Sequence, residues 1–264
     1  MTAIIKNIGA KSIVLFEEMG RIAIFSIKGL FHMFSLPLQP SKIIHQINFI
    51  GAKSIFIICL TGGFTGMVLG LQGYYTLVKF GSEGMLGAAV ALSLIRELGP
   101  VLTALMVIGR AGSAIAAEIS IMRISEQIDA LETMNISSIR FLMGPRFAAA
   151  IISFPLLTAL FDVIGIFGGY LTGSVLLNIE ESVYFHRMES SIVMRDINEG
   201  FIKSILFALV VITICCYQGY YTHLKREGHG AQGVRLATTS AVVLSSVLVL
   251  VVDYIITSFL LSKP

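Results

Sequence analysis

Tryptophan is absent from this chain of 264 residues, and charged residues make up only 13% of it. A soluble domain carries about 25%. Too few polar side chains remain to cover a water-facing surface, so lipid must be the solvent for much of the chain. Cysteine is scarce as well. Cys59, Cys215 and Cys216 all sit in apolar runs, none has metal-ligand spacing, and the adjacent pair is a poor disulfide, so they read as small hydrophobes. No Lys/Arg-rich run with interleaved aromatics is present, which argues against a nucleic-acid partner. HExxH, GxSxG and CxxC are missing, so no catalytic residue or metal site is expected. GAKSI occurs twice, at 9–13 and 51–55, but neither copy follows the glycine spacing of a phosphate loop, and the chain is not expected to bind ATP itself. The N-terminal apolar positions are interrupted by Lys6, Lys11, Glu17, Glu18 and Arg21, which leaves no clean signal-peptide core, so insertion is expected to rely on internal spans.

What the chain does have is apolar length: 55% hydrophobic residues and a mean hydropathy of +0.85. Residues 54–78 carry no charge, enough at about 1.5 Å per residue to span a bilayer core. The stretch 84–117 is apolar except for Arg96, Glu97 and Arg110. It is too long for one straight span, and Pro100 predicts a kink. The second span is read over 98–117, with 85–95 as a short helix or re-entrant piece before it. Further spans are read at 147–172 (containing Asp162), 203–221 and 236–261 (containing Asp253). The whole of 1–264 is then one all-α integral membrane domain of five spans.

Over 4–34, apolar residues such as Ile8, Phe16, Ile22, Ile27 and Phe31 share one helical stripe. Residues 1–40 therefore predict an amphipathic helix lying in the membrane interface, or else one packed against the bundle. The segment 118–146 is the long polar interval between spans two and three. With it, the N-terminus and the 222–235 loop on one side, that side collects twelve Lys and Arg against five opposite. That makes it cytoplasmic and puts the C-terminus outside.

Several features stand out within this frame. Gly62, Gly66 and Gly70, and again Gly165, Gly169 and Gly173, recur at four-residue spacing. Such faces let helix backbones approach closely, as generic packing, a dimer seam or a sliding wall. Arg96 and Glu97 fall in apolar sequence, where an isolated charge costs about 2.5–3.5 kcal/mol. They are a mutual pair, interfacial anchors, or a polar spot in a cavity for a charged head group. Lys203 either faces the same cavity or snorkels. Leu69, Gly73, Thr76 and Phe80 share a helical face of the first span and are read as lining such a cavity. Asp162 and Asp253 either hydrogen-bond between helices or couple protons. Around 121–134, Ile121, Ile124, Ile128 and Leu131 form an apolar face while Arg123, Glu126, Asp129 and Glu132 lie elsewhere. A short amphipathic helix there can press into a groove on a partner protein.

GMVLGLQ at 66–72, the RELGPV, GRAGSA and EQIDAL series within 91–131, the proline-led run at 145–169 and GAQGVRLATTSAVV at 230–243 together resemble the MlaE family of ABC-transporter permeases. The similarity covers about residues 54–257 in family order. It implies a homodimeric permease in the bacterial inner membrane. Its expected partners are two cytoplasmic ABC ATPase subunits that bind the ATP, a STAS-domain subunit and a periplasmic ring of MCE-domain proteins. The implied cargo is glycerophospholipid, moved between inner and outer membranes to maintain outer-membrane lipid asymmetry. Arg96 and Glu97 fall near the family's lipid cavity, and 126–131 on its coupling helix, so Arg123, Ile124, Glu126, Ile128, Asp129 and Leu131 are the expected ATPase contacts. This chain reads EQIDALETMNISS where many members read EQIDALRVMGVDP. The rival readings are a proton-coupled secondary transporter, supported by Asp162 and Asp253, and an intramembrane lipid-modifying enzyme, against which the missing catalytic motifs count.

Overall fold

The computed structural model of the chain describes residues 17–31, 40–224 and 230–261. Residues 4–16 and 32–34 of the expected N-terminal helix, and 225–229 of the basic loop, lie outside the described residues. Five helices are long and apolar enough to cross a bilayer: Pro40–Val78, Glu83–Ile124, Ser138–Leu176, Met194–Tyr220 and Gly230–Leu260. No strand occurs among the described residues. The protein is all-α with five candidate spans, in the order the apolar runs imply. Every helix outruns its apolar window. Hydropathy marks where lipid begins, whereas backbone hydrogen bonding continues into the polar flanks.

The first span is built from α2 (Pro40–Ile50) and α3 (Ile55–Val78), joined by a tight 3₁₀ turn over Ala52–Ser54. Ser54 Oγ closes the turn by donating to the Ile50 carbonyl at 2.7 Å. The Arg110 guanidinium reaches across from the second span to donate to Phe49 O at 2.6 Å and Ser54 Oγ at 2.7 Å. This membrane arginine is thereby satisfied by the helix junction it clamps.

The second span contains α4 (Leu86–Ser93), α5 (Gly99–Val107) and α6 (Ser113–Ile124). Wide π turns over Leu94–Leu98 and Ile108–Gly112 connect them. Pro100 lies directly after the first of these π turns, at the start of α5, and helical structure continues through it. The 85–95 piece is the start of this long helix. Proline has no N–H to return to the carbonyl four residues back, and that carbonyl, on Arg96, is bonded by another group described below.

The third span, α8 (Ser138–Tyr170), continues into a π turn over Leu171–Leu176. Its glycine stripe and that of α3 face each other. A β-carbon on Gly62 would meet Phe161 O at 3.0 Å, and one on Gly70 would meet Gly169 O at 3.1 Å. At Gly66 a β-carbon would overlap the Gly165 carbonyl outright. The two stripes therefore form one seam within a single chain, so these faces are not a seam between copies.

Between the third and fourth spans, α9 (Glu181–Ser191) folds back over α4. Its buried Tyr184 donates to Ile166 O at 3.1 Å, and burial raises the Tyr184 phenol above its ordinary value. The fourth span, α10 (Met194–Tyr220), is the most enclosed, and the fifth, α11 (Gly230–Leu261), packs on it and on α6. Large apolar side chains such as Phe56, Phe64, Leu156, Val163, Tyr254 and Phe259 point outward, as they must where the surrounding medium is hydrocarbon.

Helix α1 covers residues 17–31. Its buried Phe25 packs on Tyr217, Tyr220 and Tyr221 with ring centroids 5.5–5.7 Å away. Met19, Ile24, Ile27 and Phe31 stay exposed. The helix is thus docked on the bundle by one face while keeping a second apolar face free.

Candidate functional site

On α10, Asp196, Gly200 and Lys203 recur at helical spacing and face the second span. Gly200 permits the approach, because a β-carbon there would sit 2.6 Å from Ile95 O in the π turn. The Lys203 side chain is 2% exposed. Its ammonium donates to Glu97 Oε2 at 2.6 Å, Thr257 Oγ1 at 2.8 Å and Arg96 O at 2.9 Å. The last is the carbonyl that Pro100 leaves without its i+4 donor. Asp253 Oδ1 lies 3.1 Å from the same ammonium, an ion pair without hydrogen-bond alignment. Thr257 in turn donates to Glu97 Oε1 at 3.2 Å.

Arg96 and Glu97 do not pair with each other. The Arg96 guanidinium meets Asp196 Oδ1 at 2.7–2.8 Å, and the other Asp196 oxygen accepts the Val193 N–H at 3.0 Å. The cluster thus holds three carboxylates and two cations from three spans. The partners Lys203 and Asp196 are buried, whereas the side chains of Arg96 and Glu97 are 46% and 42% exposed. A guanidinium and a carboxylate are therefore presented outward and held from behind. Lys203 does not snorkel; its four neighbours hold it inside.

Asp196 and Thr257 are cluster members that the sequence reading missed. Asp196 falls in the mixed-charge stretch before the apolar run, although its seven-residue spacing from Lys203 was a usable signal once the helix was extended. Asp253, read as an interhelical bond or a proton carrier, is an ion-pair partner of Lys203. Asp162 stands apart beside Gly99, with Oδ1 buried and unpartnered among the described residues. It lines a crevice of about 160 Å³ with Thr158 and Ile95. The four α3 positions divide. Leu69 is partly buried against the core, and Gly73 abuts Leu86. Thr76, bonded to Gln72 O, and Phe80 are exposed.

At the opposite end of the bundle, the single helix expected around 121–134 is two helices. α6 ends at Ile124, and α7 covers Gln127–Thr133. Glu126 between them has φ 59°, a left-handed conformation that reverses the chain without a glycine. Ile128 is fully buried in its own chain and so does not form part of an open apolar face. Ile124 and Leu131 are half-buried, and Glu126 is exposed. Arg123 pairs with Asp129 at 2.7 Å and donates to His223 Nδ1 at 3.0 Å. Glu132 accepts from Ser138 at 2.8 Å and Tyr220 at 3.0 Å. These bonds join α6, α7, α8 and α10 into one node beneath Phe25.

Burial, and next the nearby Arg123 cation, lower the His223 pKa below its ordinary 6.5. The unfolded chain therefore binds the proton more readily, and stability falls as pH drops from 6.5 toward the folded value. The hydrogen bonds from Ser138 and then Tyr220 hold Glu132 below 4.5, so its contribution is present above 4.5 and lost only in stronger acid. Between about pH 7.5 and about pH 5.5 the melting temperature of the wild type should fall more than that of His223→Asn. Parallel curves for the two proteins would show that the imidazole is not held neutral.

A family model described as Permease MlaE matches residues 43–259. A probable ABC transporter permease protein of Rickettsia bellii is 43% identical over 254 residues, covering 96% of each chain. The intermembrane phospholipid transport system permease protein MlaE of Haemophilus influenzae is 40% identical over 257 residues, covering 97% of each. The chloroplastic protein TRIGALACTOSYLDIACYLGLYCEROL 1 of Arabidopsis thaliana is 31% identical over 240 residues, 91% of this chain and 65% of that one. The five-span helical fold and a match covering most of the chain lead to one assignment: this protein belongs to the MlaE family of membrane permeases.

Proposed function

We propose that the chain is the permease subunit of an ABC transporter that moves glycerophospholipids between the inner and outer membranes and so maintains outer-membrane lipid asymmetry. The observation that carries this reading is the Lys203–Glu97–Asp253 and Arg96–Asp196 cluster, with Arg96 and Glu97 presented outward, in a chain alike, over nearly its whole length, to an intermembrane phospholipid permease. Arg96 offers a guanidinium to a lipid phosphate, and Glu97 offers a carboxylate to a head-group ammonium. Leu69, Gly73, Thr76 and Phe80 are proposed to guide the acyl chains nearby. The pairing of Asp253 with Lys203 gives the proton-coupled alternative little support, since that carboxylate already has a cation.

In this reading the protein works as a homodimer in the bacterial inner membrane, N-terminus cytoplasmic and C-terminus periplasmic. ATP is bound and hydrolysed on a partner ATPase. A STAS-domain subunit and a periplasmic MCE-domain ring complete the assembly. The ATPase is proposed to seat at the Arg123 end. There Ile121, Ile124, Ser125 and Ala231 line an open groove of about 660 Å³ beside the exposed Glu126. Arg123, Glu126, Asp129 and Leu131 are proposed as further contacts of the same partner, with the Arg123–Asp129 pair tying α7 to the end of α6.

Reversing both charges, Glu126→Lys with Asp129→Lys, should release the ATPase or uncouple its hydrolysis from lipid transfer. Among the described residues the change removes the partly exposed Arg123–Asp129 pair, worth about 0–1 kcal/mol. The variant should therefore still insert. Losing a desolvated partner contact costs about 2–5 kcal/mol, roughly thirtyfold or more in affinity. Co-purification of the ATPase and lipid transfer in reconstituted vesicles read the two outcomes. Wild-type levels in both would reject this surface, and lipid transfer without any ATPase would reject the transporter class.

A further inference from the structure

A second polar cavity, of about 400 Å³, opens at the Arg123 end between α2, α6 and α8. The Lys203 cluster lies at the other end of these spans. The cavity sits where Lys42, Glu118 and Arg146 mark the edge of the apolar runs. Ser41, Lys42, His45 and Gln46 line it from α2, Glu118 from α6, and Arg146 from α8.

Its electrostatics are one-sided. The Arg146 side chain is 5% exposed and neutralises Glu118, the acid of the lining, at 2.9 Å. Its Nη1 donates to Leu142 O at 2.7 Å, and its Nε is buried without a partner among the described residues. The Lys42 ammonium lies 3.4 Å from the Phe141 ring centroid, a contact that leaves its donors open to a stronger acceptor. The side-chain oxygen of Gln46 is also buried and unpartnered among the described residues. Since side-chain amide orientation is assigned from the surrounding bonds, this group offers either a donor or an acceptor. Among the described residues, a cavity with an uncompensated ammonium, a free guanidinium N–H and an open amide is short of one anionic, oxygen-rich occupant.

We infer that this cavity binds the phosphate group of a glycerophospholipid head, with Lys42 and the Arg146 Nε as its donors. The phosphate oxygens take both cationic donors, and a head-group hydroxyl or ammonium meets Gln46. The cavity's position at the end of the apolar spans places it at head-group depth, which favours a lipid over a soluble anion. The inference stands whether or not the protein transports lipid, because it concerns a site remote from Arg96 and Lys203.

The test uses the purified full chain in neutral detergent and native mass spectrometry. Dioctanoyl-phosphatidylglycerol is the phosphate-bearing probe, dioctanoylglycerol the phosphate-free one, and inorganic phosphate the competitor. Lys42→Glu and His45→Glu should weaken the phosphatidylglycerol adduct by roughly tenfold or more. Lys79→Glu, at the other end, should leave it unchanged. Unaltered gel filtration shows that each variant is folded, and Lys42→Gln replaces Lys42→Glu if the reversal does not fold. Competition by inorganic phosphate would assign the site to a free anion and overturn the lipid head, whereas its failure to compete would support the lipid head. Equal binding of the phosphate-free probe, or an adduct indifferent to Lys42 and His45, would overturn the site.

Discussion

Lys203→Met is expected to abolish lipid transfer and to lower stability by about 3 kcal/mol, the low end of the range for breaking a buried ion pair. Methionine keeps the length and apolar character of the stem but removes the charge. Among the described residues Glu97 would then retain Thr257 alone, Asp253 would lose its cation, and the Arg96 carbonyl would lose the donor that stands in for Pro100. The low end applies because Glu97 is 42% exposed, so part of its charge can be solvated. Adding Glu97→Gln and Asp253→Asn to Lys203→Met neutralises the orphaned carboxylates. That triple variant should regain much of the melting temperature but none of the transfer, since the outward-facing Glu97 charge is gone. Transfer that returned together with stability would show that the cluster only holds the spans together.

Gly66→Ala is the second large effect expected. Its new methyl would overlap the Gly165 carbonyl, which is backbone and cannot swing aside. The two helices would have to part along the seam. Overpacking of this kind costs about 1–3 kcal/mol, sometimes more. Gly63→Ala supplies the control, because the nearest atom to its new methyl is Ile164 Cγ2 at an ordinary 3.6 Å. Replacing glycine with alanine inside a helix gains up to about 1 kcal/mol, so Gly63→Ala should be neutral or stabilising. Thermal unfolding of the two variants in the same detergent measures the contrast. Equal melting temperatures would mean that α3 and α8 are not packed backbone to backbone.

The parts of the fold that were legible in the sequence were those tied to solvent. Five apolar runs require five spans because lipid leaves the backbone no alternative to helix. Arg96, Glu97 and Lys203 stood out because charge in an apolar run demands a partner. Which partner each takes was not legible. Asp196 looked like an ordinary polar residue until the fourth helix was seen to begin at Met194. The glycine stripes announced close packing but not that they pack on each other, since a small face is complementary to any other small face. The break at Glu126 was hidden for a different reason. A left-handed residue is usually signalled by glycine or asparagine, and here a glutamate adopts it where α7 is tied back to α8 and α10 through Glu132.

The connectivity of the Lys203 cluster also constrains how the protein is made. Glu97 precedes Lys203 by 106 positions, whereas Thr257 follows it by 54. As the chain enters the membrane in order, Lys203 arrives to find Glu97 and the Arg96 carbonyl waiting, but Asp253 and Thr257 do not yet exist. A nascent chain cut short before the fifth helix would hold the ammonium with half its ligands missing. The fifth span is thus the one that closes the charged centre, and the site is complete only once that helix has joined the second and the fourth.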